Sequence, residues 1–118
     1  MIVAAGSGTR MGLSINKTLA ALGGETVLER SVHAFDGLTD GVVVVYRAED
    51  EETVRALNLP VTLAPGGDTR QASVLNGLRA LPEDAEIVLV HDAARPFVTR
   101  QIIARCIESV QKYGSGVA

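Results

Sequence analysis

The sequence predicts an α/β fold in which a mostly parallel sheet carries helices on both faces. Short apolar runs rich in β-branched residues, of the kind buried on both faces of a parallel sheet, alternate with segments whose apolar residues recur at helical spacing. The order strand then helix repeats four times, and this alternation is typical of α/β domains. With 118 residues, 47% of them hydrophobic, the chain has the size and composition of one globular domain with its own core.

The sequence predicts two of the four strands more clearly than the other two. The segments 1–5 and 41–46 are the clearest, because nearly all of their residues are apolar and several are β-branched. The segments 61–64 and 86–90 show the same pattern more weakly. We expect these four segments to form the sheet.

Capping signals mark where helices begin and end. Thr26 and Glu29 form a capping box, which predicts a helix start at Thr26, and Gly37 is a suitable stop. Thr99 and Gly114 flank the last helix in the same way, as its N-cap and as the residue past its end. After the helix that starts at Thr26, three more helices are predicted, over residues 50–57, 71–81 and 99–113.

The composition argues against several classes of protein. A formal charge of −3 and an aromatic content of 3% are unlike a nucleic-acid surface, which needs basic stripes and stacking platforms. No segment approaches the roughly 18 apolar residues of a membrane span, and the N-terminus has no signal-peptide pattern, so a cytoplasmic protein is expected. The single cysteine, Cys106, lies among apolar residues of the last helix, and we expect it to be an inert core residue.

A glycine-rich, basic loop follows the first strand. Gly6 and Gly8 allow successive backbone amides to converge on an anion, and Arg10 and Lys17 add positive charge. The spacing fits neither GxxxxGK[ST] nor GxGxxG, because Met11 occupies the position of the third glycine. We interpret the loop as a phosphate-binding segment of a third kind; the alternative is an extended turn with both cations exposed.

Two further loops with unusual chemistry follow predicted strands. One comprises residues 65–70, with Ser73 in the first turn of the next helix, and the other comprises residues 91–96. Ligands of open parallel sheets bind outside the carboxyl ends of the strands, near the point where the strand order reverses, so we expect the three loops to converge. Residues 47–50, which follow the second strand, are expected to form only a solvated polar turn.

Each of these loops also has a purely structural interpretation. Residues 66–68 resemble a turn before a helix cap, and residues 91–92 could close a strand while Arg95 pairs with a carboxylate. In the functional interpretation, Asp92 is the carboxylate placed to hold a divalent cation beside phosphates, which predicts a nucleoside triphosphate site. His33 is expected at the surface, and the role of His91 stays open.

Three motifs together carry a family resemblance. The loop AAGSGTRMG with the following Lys17 resembles that of the pyrophosphorylase-type nucleotidyltransferases. Together with GGDTRQASVLNGL from Gly66 and HDAARPF from His91, it closely resembles the 2-C-methyl-D-erythritol 4-phosphate cytidylyltransferase family over essentially the whole chain. The resemblance implies a Rossmann-like three-layer sandwich of the nucleotide-diphospho-sugar transferase type, with residues 1–118 as its nucleotide-binding part. That part would be the N-terminal half of an enzyme, and residues 116–118 resemble the entry to a fifth strand.

The resemblance also implies site roles. Arg10 and Lys17 would be catalytic and stabilise the charge that builds on the α-phosphorus as a substrate phosphate attacks and pyrophosphate leaves. Asp92 would hold Mg²⁺, and no side chain needs to act as a base, since a phosphate monoester is already a nucleophile. The backbone of residues 4–8 would wrap the triphosphate, and Arg70 would brace the loop that binds the base. The implied CTP-binding residues are Ala4, Ala5, Gly6, Ser7, Gly8, Thr9, Gly67, Asp68, Arg70, Ser73 and Ala93, of which Ala4, Ala5, Gly67, Asp68 and Ser73 would define the cytosine pocket.

The sequence departs from the family pattern in two respects. Asn16 stands where the family often has proline, so the lysine is kept while its rigid predecessor is lost. The later family segment, which supplies an acidic metal ligand, acceptor contacts and a dimerising arm, has no counterpart here. The resemblance implies CTP and a sugar-alcohol phosphate as substrates and a homodimer for the full-length protein, while the oligomeric state of these residues alone stays open. Without the later segment we expect no turnover by these residues alone.

Three alternatives stay open at this point. A related enzyme that makes CDP-ribitol shares much of the pattern. A catalytically silent CTP-binding module would carry the same loops. A dinucleotide-dependent oxidoreductase is disfavoured, because no helix is predicted directly after the glycine loop and cations occupy that segment.

Overall fold

A computed structural model describes residues 1–5, 21–22, 25–93 and 98–114 and confirms the α/β fold. The sheet and helices alternate along the chain as the periodicity predicts. In chain order, the elements are β1 (Ile2–Ala4), β2 (Ala21–Leu22), β3 (Glu25–Thr26), α1 (Val27–Ala34), β4 (Val43–Tyr46), α2 (Glu51–Ala56), β5 (Thr62–Pro65), α3 (Arg70–Arg79), β6 (His91–Asp92) and α4 (Arg100–Tyr113).

The main sheet has four parallel strands in the order β5-β4-β1-β6. Strand β1 lies between β4 and β6, with Ile2 opposite Val44 on one side and opposite His91 on the other. The chain therefore builds the sheet outward from β1 to β5 and then places β6 on the opposite side of β1. A small antiparallel pair, β2 with β3, was not predicted from the sequence.

Alternate residues of the central strands enter two separate cores. Ile2 and Val44 belong to one cluster, which is covered by residues of α1, α2 and α4. Val3 and Val45 belong to a second cluster on the other face, where α3 packs. Strands β1 and β4 are buried on both faces, which explains why their sequences are continuous apolar runs rather than alternating ones.

The predicted helix caps are confirmed. The Glu29 amide donates to Thr26 Oγ1, and the Thr26 amide donates to Glu29 Oε1, both at 3.0 Å, so the capping box is complete. Thr99 accepts a hydrogen bond from the Ile102 amide, and Gly114 ends α4 in a left-handed conformation with φ of 82°. These ends were predictable because capping depends on residues adjacent in the sequence.

The fourth strand was predicted in the wrong place. Residues 86–90 form no strand, and β6 comprises His91 and Asp92 instead. Residues on either side of Val90 still bond to Met1, since the Met1 ammonium donates to the Leu89 carbonyl and the His91 amide donates to the Met1 carbonyl. Val88 and Val90 are 38% and 50% exposed despite their strand propensity.

The turn after β4 is also different from the expectation. The Arg47 guanidinium contacts the Asp50 carboxylate at 3.0 Å, and Asp50 is only 8% exposed, so this segment is a partly buried ion pair rather than a solvated turn. His33 is exposed as predicted, whereas Cys106 is half-buried rather than fully in the core. Within the ranges that the structure describes, no helix is long and apolar enough to span a membrane.

Helix α3 lies unusually close to the sheet because of Gly77. A Cβ on this residue would stand 2.7 Å from Val45 Cγ2 and would also overlap Met1 Sδ. Val45 is fully buried in the centre of β4 and has no space to retreat. The glycine therefore sets the distance between α3 and strands β1 and β4, at the expense of helix propensity.

We predict that Gly77→Ala destabilises the protein by about 1–2 kcal/mol, because overpacking a filled core outweighs the gain of about 1 kcal/mol in helix propensity. The free energy of unfolding, measured in urea, tests this. Gly41→Ala is the matched control, since a Cβ there meets nothing within 4 Å. An unchanged or higher stability of Gly77→Ala would contradict the close packing.

We also predict that the free energy of unfolding of this chain rises with pH below pH 8.0 because of its N-terminal amine. The Met1 ammonium donates to the Leu89 carbonyl at 2.7 Å, and burial lowers its pKa from 8.0. The folded state thus binds fewer protons there than the unfolded chain, so the free energy of unfolding increases as pH rises from the lowered pKa to 8.0. Urea midpoints of the free and Nα-acetylated chains should diverge over this window; parallel profiles would contradict the prediction.

Candidate functional site

The strand order places the candidate site between β1 and β6. Connections from β1 run to β4 and β5 on one side, and the next strand, β6, lies on the other side of β1. The carboxyl ends of β1 and β6 are therefore adjacent at the point where the strand order reverses. This is the position at which open parallel sheets form a ligand crevice.

The loop that follows β6 is tied to β1 by backbone hydrogen bonds. The Ala93 amide donates to the Val3 carbonyl at 3.0 Å, and Ala93 has no exposed surface. The buried Ser31 hydroxyl of α1 donates to the Ala93 carbonyl at 3.5 Å. Asp92, immediately before Ala93, thereby has a fixed position at the sheet end.

The loop that follows β5 crosses the end of β4 to reach β1. The Gly66 amide donates to the Tyr46 carbonyl at 2.7 Å, which brings the loop over the last residue of β4. A Cβ on Gly66 would stand 2.5 Å from Ala5 Cβ and 3.0 Å from the Tyr46 carbonyl oxygen. Glycine at position 66 is thus required for the close approach of this loop to the end of β1.

Side chains of α3 hold the same loop from the other direction. The Gly67 amide donates to Ser73 Oγ at 3.0 Å, and Asn76 Nδ2 donates to the Pro65 carbonyl at 2.9 Å. Thr69 caps the helix by accepting from the Ala72 amide at 3.0 Å. The two glycines, which would otherwise be the most flexible residues of the loop, are fixed by these contacts.

The structure brings together the described part of the predicted site. Ala5 lies directly beside Gly66, and the Ala93 amide donates to the Val3 carbonyl of β1. The carboxyl ends of β1, β5 and β6 therefore meet at one edge of the sheet. The site residues Ala4, Ala5, Gly67, Asp68, Arg70, Ser73, Asp92 and Ala93 are described. The predicted residues Gly6, Ser7, Gly8, Thr9, Arg10 and Lys17, together with Arg95, lie outside the described residues.

Burial separates side chains that can meet a ligand from those that cannot. Gly67, Asp68 and Arg70 are exposed and Asp92 is half-buried, so their polar groups are accessible. Ala4 and Ala93 are almost fully buried, and only their backbone atoms are placed to contribute. Ser73 is 3% exposed and already accepts the Gly67 amide, so its first role is to hold the loop.

The described carboxylates of the candidate site do not form a complete metal site by themselves. Within residues 1–5, 21–22, 25–93 and 98–114, no group of three His, Cys, Asp or Glu side chains could hold a metal ion by itself. Mg²⁺ commonly binds one or two carboxylates plus substrate phosphates and water. Asp92, half-buried at the switch point, and the exposed Asp68 in the loop after β5 are the described carboxylates among the candidate site residues.

Two contributors were missed by the sequence reasoning. Asn76 was visible in the motif GGDTRQASVLNGL, three residues after Ser73 and therefore on a neighbouring part of the helix surface, but its bond to Pro65 depends on tertiary structure. The partly buried Arg47–Asp50 pair directly follows β4. His91 packs edge-to-face against Phe35, with 5.7 Å between ring centroids, which indicates a packing role.

The cavity of about 740 Å³ found in the described residues lies at the other end of the sheet. Its lining includes Met1, Val43 and Thr62, which begin β1, β4 and β5. The candidate site is at the carboxyl ends of the same strands. The cavity is therefore not part of the candidate site.

The sequence is similar to curated proteins named as cytidylyltransferases. A protein from Synechococcus sp. (strain WH7803), named 2-C-methyl-D-erythritol 4-phosphate cytidylyltransferase, is 42% identical over 100% of this chain and 56% of its own length. A "Bifunctional enzyme IspD/IspF" from Bradyrhizobium sp. (strain BTAi1) is 44% identical over 99% of this chain and 31% of its own. The chain thus spans between a third and about half of the curated relatives it matches.

A solved structure extends the likeness to the fold. The 4-diphosphocytidyl-2C-methyl-D-erythritol synthase from Anaerococcus prevotii matches 94% of this chain and 49% of its own chain, with a TM-score of 0.78 and 29% sequence identity. The profile of the IspD family, described as 2-C-methyl-D-erythritol 4-phosphate cytidylyltransferase, matches residues 1–118. On this full-length match, and with three motif-bearing loops at the ends of its strands, the chain belongs to the IspD family of cytidylyltransferases.

Proposed function

We propose that this chain forms the nucleotide-binding part of an enzyme that transfers CMP from CTP to 2-C-methyl-D-erythritol 4-phosphate. The products would be CDP-methylerythritol and pyrophosphate, in the cytoplasm. The observation that carries the proposal is that the described residues Ala5, Gly66 and Ala93, which follow β1, β5 and β6, lie together at the carboxyl ends of these strands. Family membership over residues 1–118 supports the substrate assignment.

The base would be recognised by the loop after β5. Gly67 and Asp68 are exposed at the end of the sheet, while Ser73 and Asn76 hold the loop from behind. A rigid loop can present backbone groups to the edge of a base without paying an ordering cost at binding. The backbone of residues 4–8 would hold the triphosphate, with Ala4 and Ala5 beside the cytosine.

The transfer itself needs charge stabilisation and alignment. Arg10 and Lys17 would stabilise negative charge on the α-phosphate as the acceptor phosphate attacks and the bond to pyrophosphate breaks. Asp92 would hold Mg²⁺, which would neutralise phosphate charge when bound. No proton acceptor is required, since the attacking phosphate oxygen is already ionised near neutral pH.

A chimera tests this proposal directly. Residues 1–118 would replace the matching half of the Synechococcus relative, and pyrophosphate release would be measured with CTP and each candidate acceptor. We expect release with methylerythritol phosphate. Magnesium-dependent CTP binding without any product would favour the silent module. Because the later segment supplies the acceptor contacts, the acceptor itself is tested with a full-length protein that contains these residues and its own later segment, where release with ribitol phosphate alone would overturn the acceptor assignment.

We predict that Arg10→Ala and Lys17→Ala each lower kcat of the chimera by about 100-fold or more, because each removes a charge that stabilises the transition state. Arg10→Lys should also be impaired, since an ammonium cannot reproduce the planar fork of a guanidinium. Circular dichroism would verify the fold. Arg79→Ala, an exposed arginine at the end of α3, serves as the control for removal of positive charge. Turnover at the level of the unsubstituted chimera in either variant would exclude that residue from the mechanism.

We predict that Asp92→Asn raises the magnesium concentration needed for CTP binding, since an amide is a weaker ligand for a hard cation than a carboxylate. A magnesium titration of CTP affinity measures the shift. Asp84→Asn, an exposed aspartate remote from the strand ends that form the site, is the matched control. Superimposable titrations of Asp92→Asn and the unsubstituted chain would refute the assignment of Asp92 as a ligand.

A further inference from the structure

The Asn76 side chain hydrogen-bonds to a peptide unit whose N–H is also engaged in a hydrogen bond. The peptide bond between Pro65 and Gly66 presents its carbonyl to Asn76 Nδ2, at 2.9 Å, and its N–H to the Tyr46 carbonyl, at 2.7 Å. Both hydrogen-bonding groups of this unit are thereby engaged. Rotation of the unit would break two bonds together, so its orientation is fixed relative to α3 and β4.

The next peptide unit is held by the same helix. The Gly67 amide donates to Ser73 Oγ at 3.0 Å, and Ser73 precedes Asn76 by nearly one helical turn. Two consecutive peptide units of a double-glycine segment are thus fixed by two side chains of α3. Glycine has the largest conformational freedom of any residue, so without such contacts Gly66 and Gly67 would sample many orientations.

The packing of α3 places these two side chains within reach. Gly77 lacks the Cβ that would collide with Val45, and so the helix approaches the sheet closely beside β5. Asn76 lies next to this contact and reaches across to the last residue of β5. Within this turn of α3, Ser73 and Asn76 therefore hold the loop by hydrogen bonds, and Gly77 lets the helix lie close enough to the sheet for those bonds to form.

We propose that Asn76 is a positioning residue that fixes the Gly66–Gly67 segment for recognition of the nucleotide base. This inference rests on the proposed function, in which Gly67 and Asp68 meet cytosine. Asn76 acts through the backbone and contacts no phosphate, so its loss affects recognition of the base and leaves binding of the triphosphate group unchanged. That separation distinguishes positioning from a general contribution to folding.

A residue that only stabilised the fold would give a different experimental result when it is substituted. Alanine at position 76 removes one hydrogen bond but improves helix propensity, and these effects oppose each other. We therefore expect the urea midpoint of Asn76→Ala to change little. A loss of CTP affinity at unchanged stability then reports the orientation of the loop.

The test compares CTP with inorganic triphosphate as ligands of the full 118-residue chain. We expect Asn76→Ala and the isosteric Asn76→Asp, which at neutral pH has no donor for the Pro65 carbonyl, to weaken CTP binding about five- to tenfold. Triphosphate affinity should stay within about twofold of the unsubstituted chain, in line with the loss of a single hydrogen bond remote from the phosphates. Arg79→Ala, an exposed position at the end of the same helix, is the control and should leave both affinities unchanged.

Amide hydrogen exchange at Gly66 and Gly67 tests the clamp without any nucleotide. Both amides should exchange faster in Asn76→Ala and Asn76→Asp than in the control. Unchanged exchange, unchanged CTP affinity, or parallel weakening of CTP and triphosphate would each overturn the proposal. An unsubstituted chain that does not bind CTP would instead overturn the proposed function, and the exchange rates would still decide whether Asn76 fixes the loop.

Discussion

The parallel pairing of β1 with two neighbours is the constraint on which the rest of the structure depends. Strand β1 has only three residues, yet it bonds to β4 on one side and to β6 on the other. Its side chains alternate between the two hydrophobic cores, so the helices on both faces of the sheet pack over it. Because later strands lie on both sides of β1, the reversal of strand order occurs at its edge, and the loop that follows β1 begins at the ligand crevice.

The structure also depends on two places where glycine allows backbone segments to approach each other closely. Gly66 allows a loop to cross β4 and touch Ala5, and Gly77 allows α3 to rest on the sheet. Small residues at these positions bring polar side chains of α3 within hydrogen-bonding distance of the loop. Close packing of α3 and the fixed orientation of the loop after β5 thus have the same origin, because Gly66 and Gly67 are held by hydrogen bonds to α3 and β4.

The parts of the fold that could be predicted are those with local causes. The capping box at Thr26, the N-cap at Thr99 and the left-handed Gly114 each depend on neighbours within one turn, and all three are confirmed. The segment 86–90 has strand propensity, yet the strand comprises His91 and Asp92 instead, and the polar turn after β4 contains a partly buried ion pair. The position of the fourth strand depends on pairing with β1, which is distant in the sequence, whereas the Arg47–Asp50 pair is local and only its burial depends on the surrounding fold.

The sequence by itself determined the alternation of strands and helices, the ends of α1 and α4, and the three motifs that identify the family. These are encoded in spacing and residue type, which need no knowledge of the partner segments. Only the tertiary structure decided that β6 lies beside β1, that the second loop reaches Ala5, and that Asn76 bonds to Pro65. The physical reason is that such contacts join segments far apart in the chain, and their geometry follows from the packing of α3 and the register of the sheet.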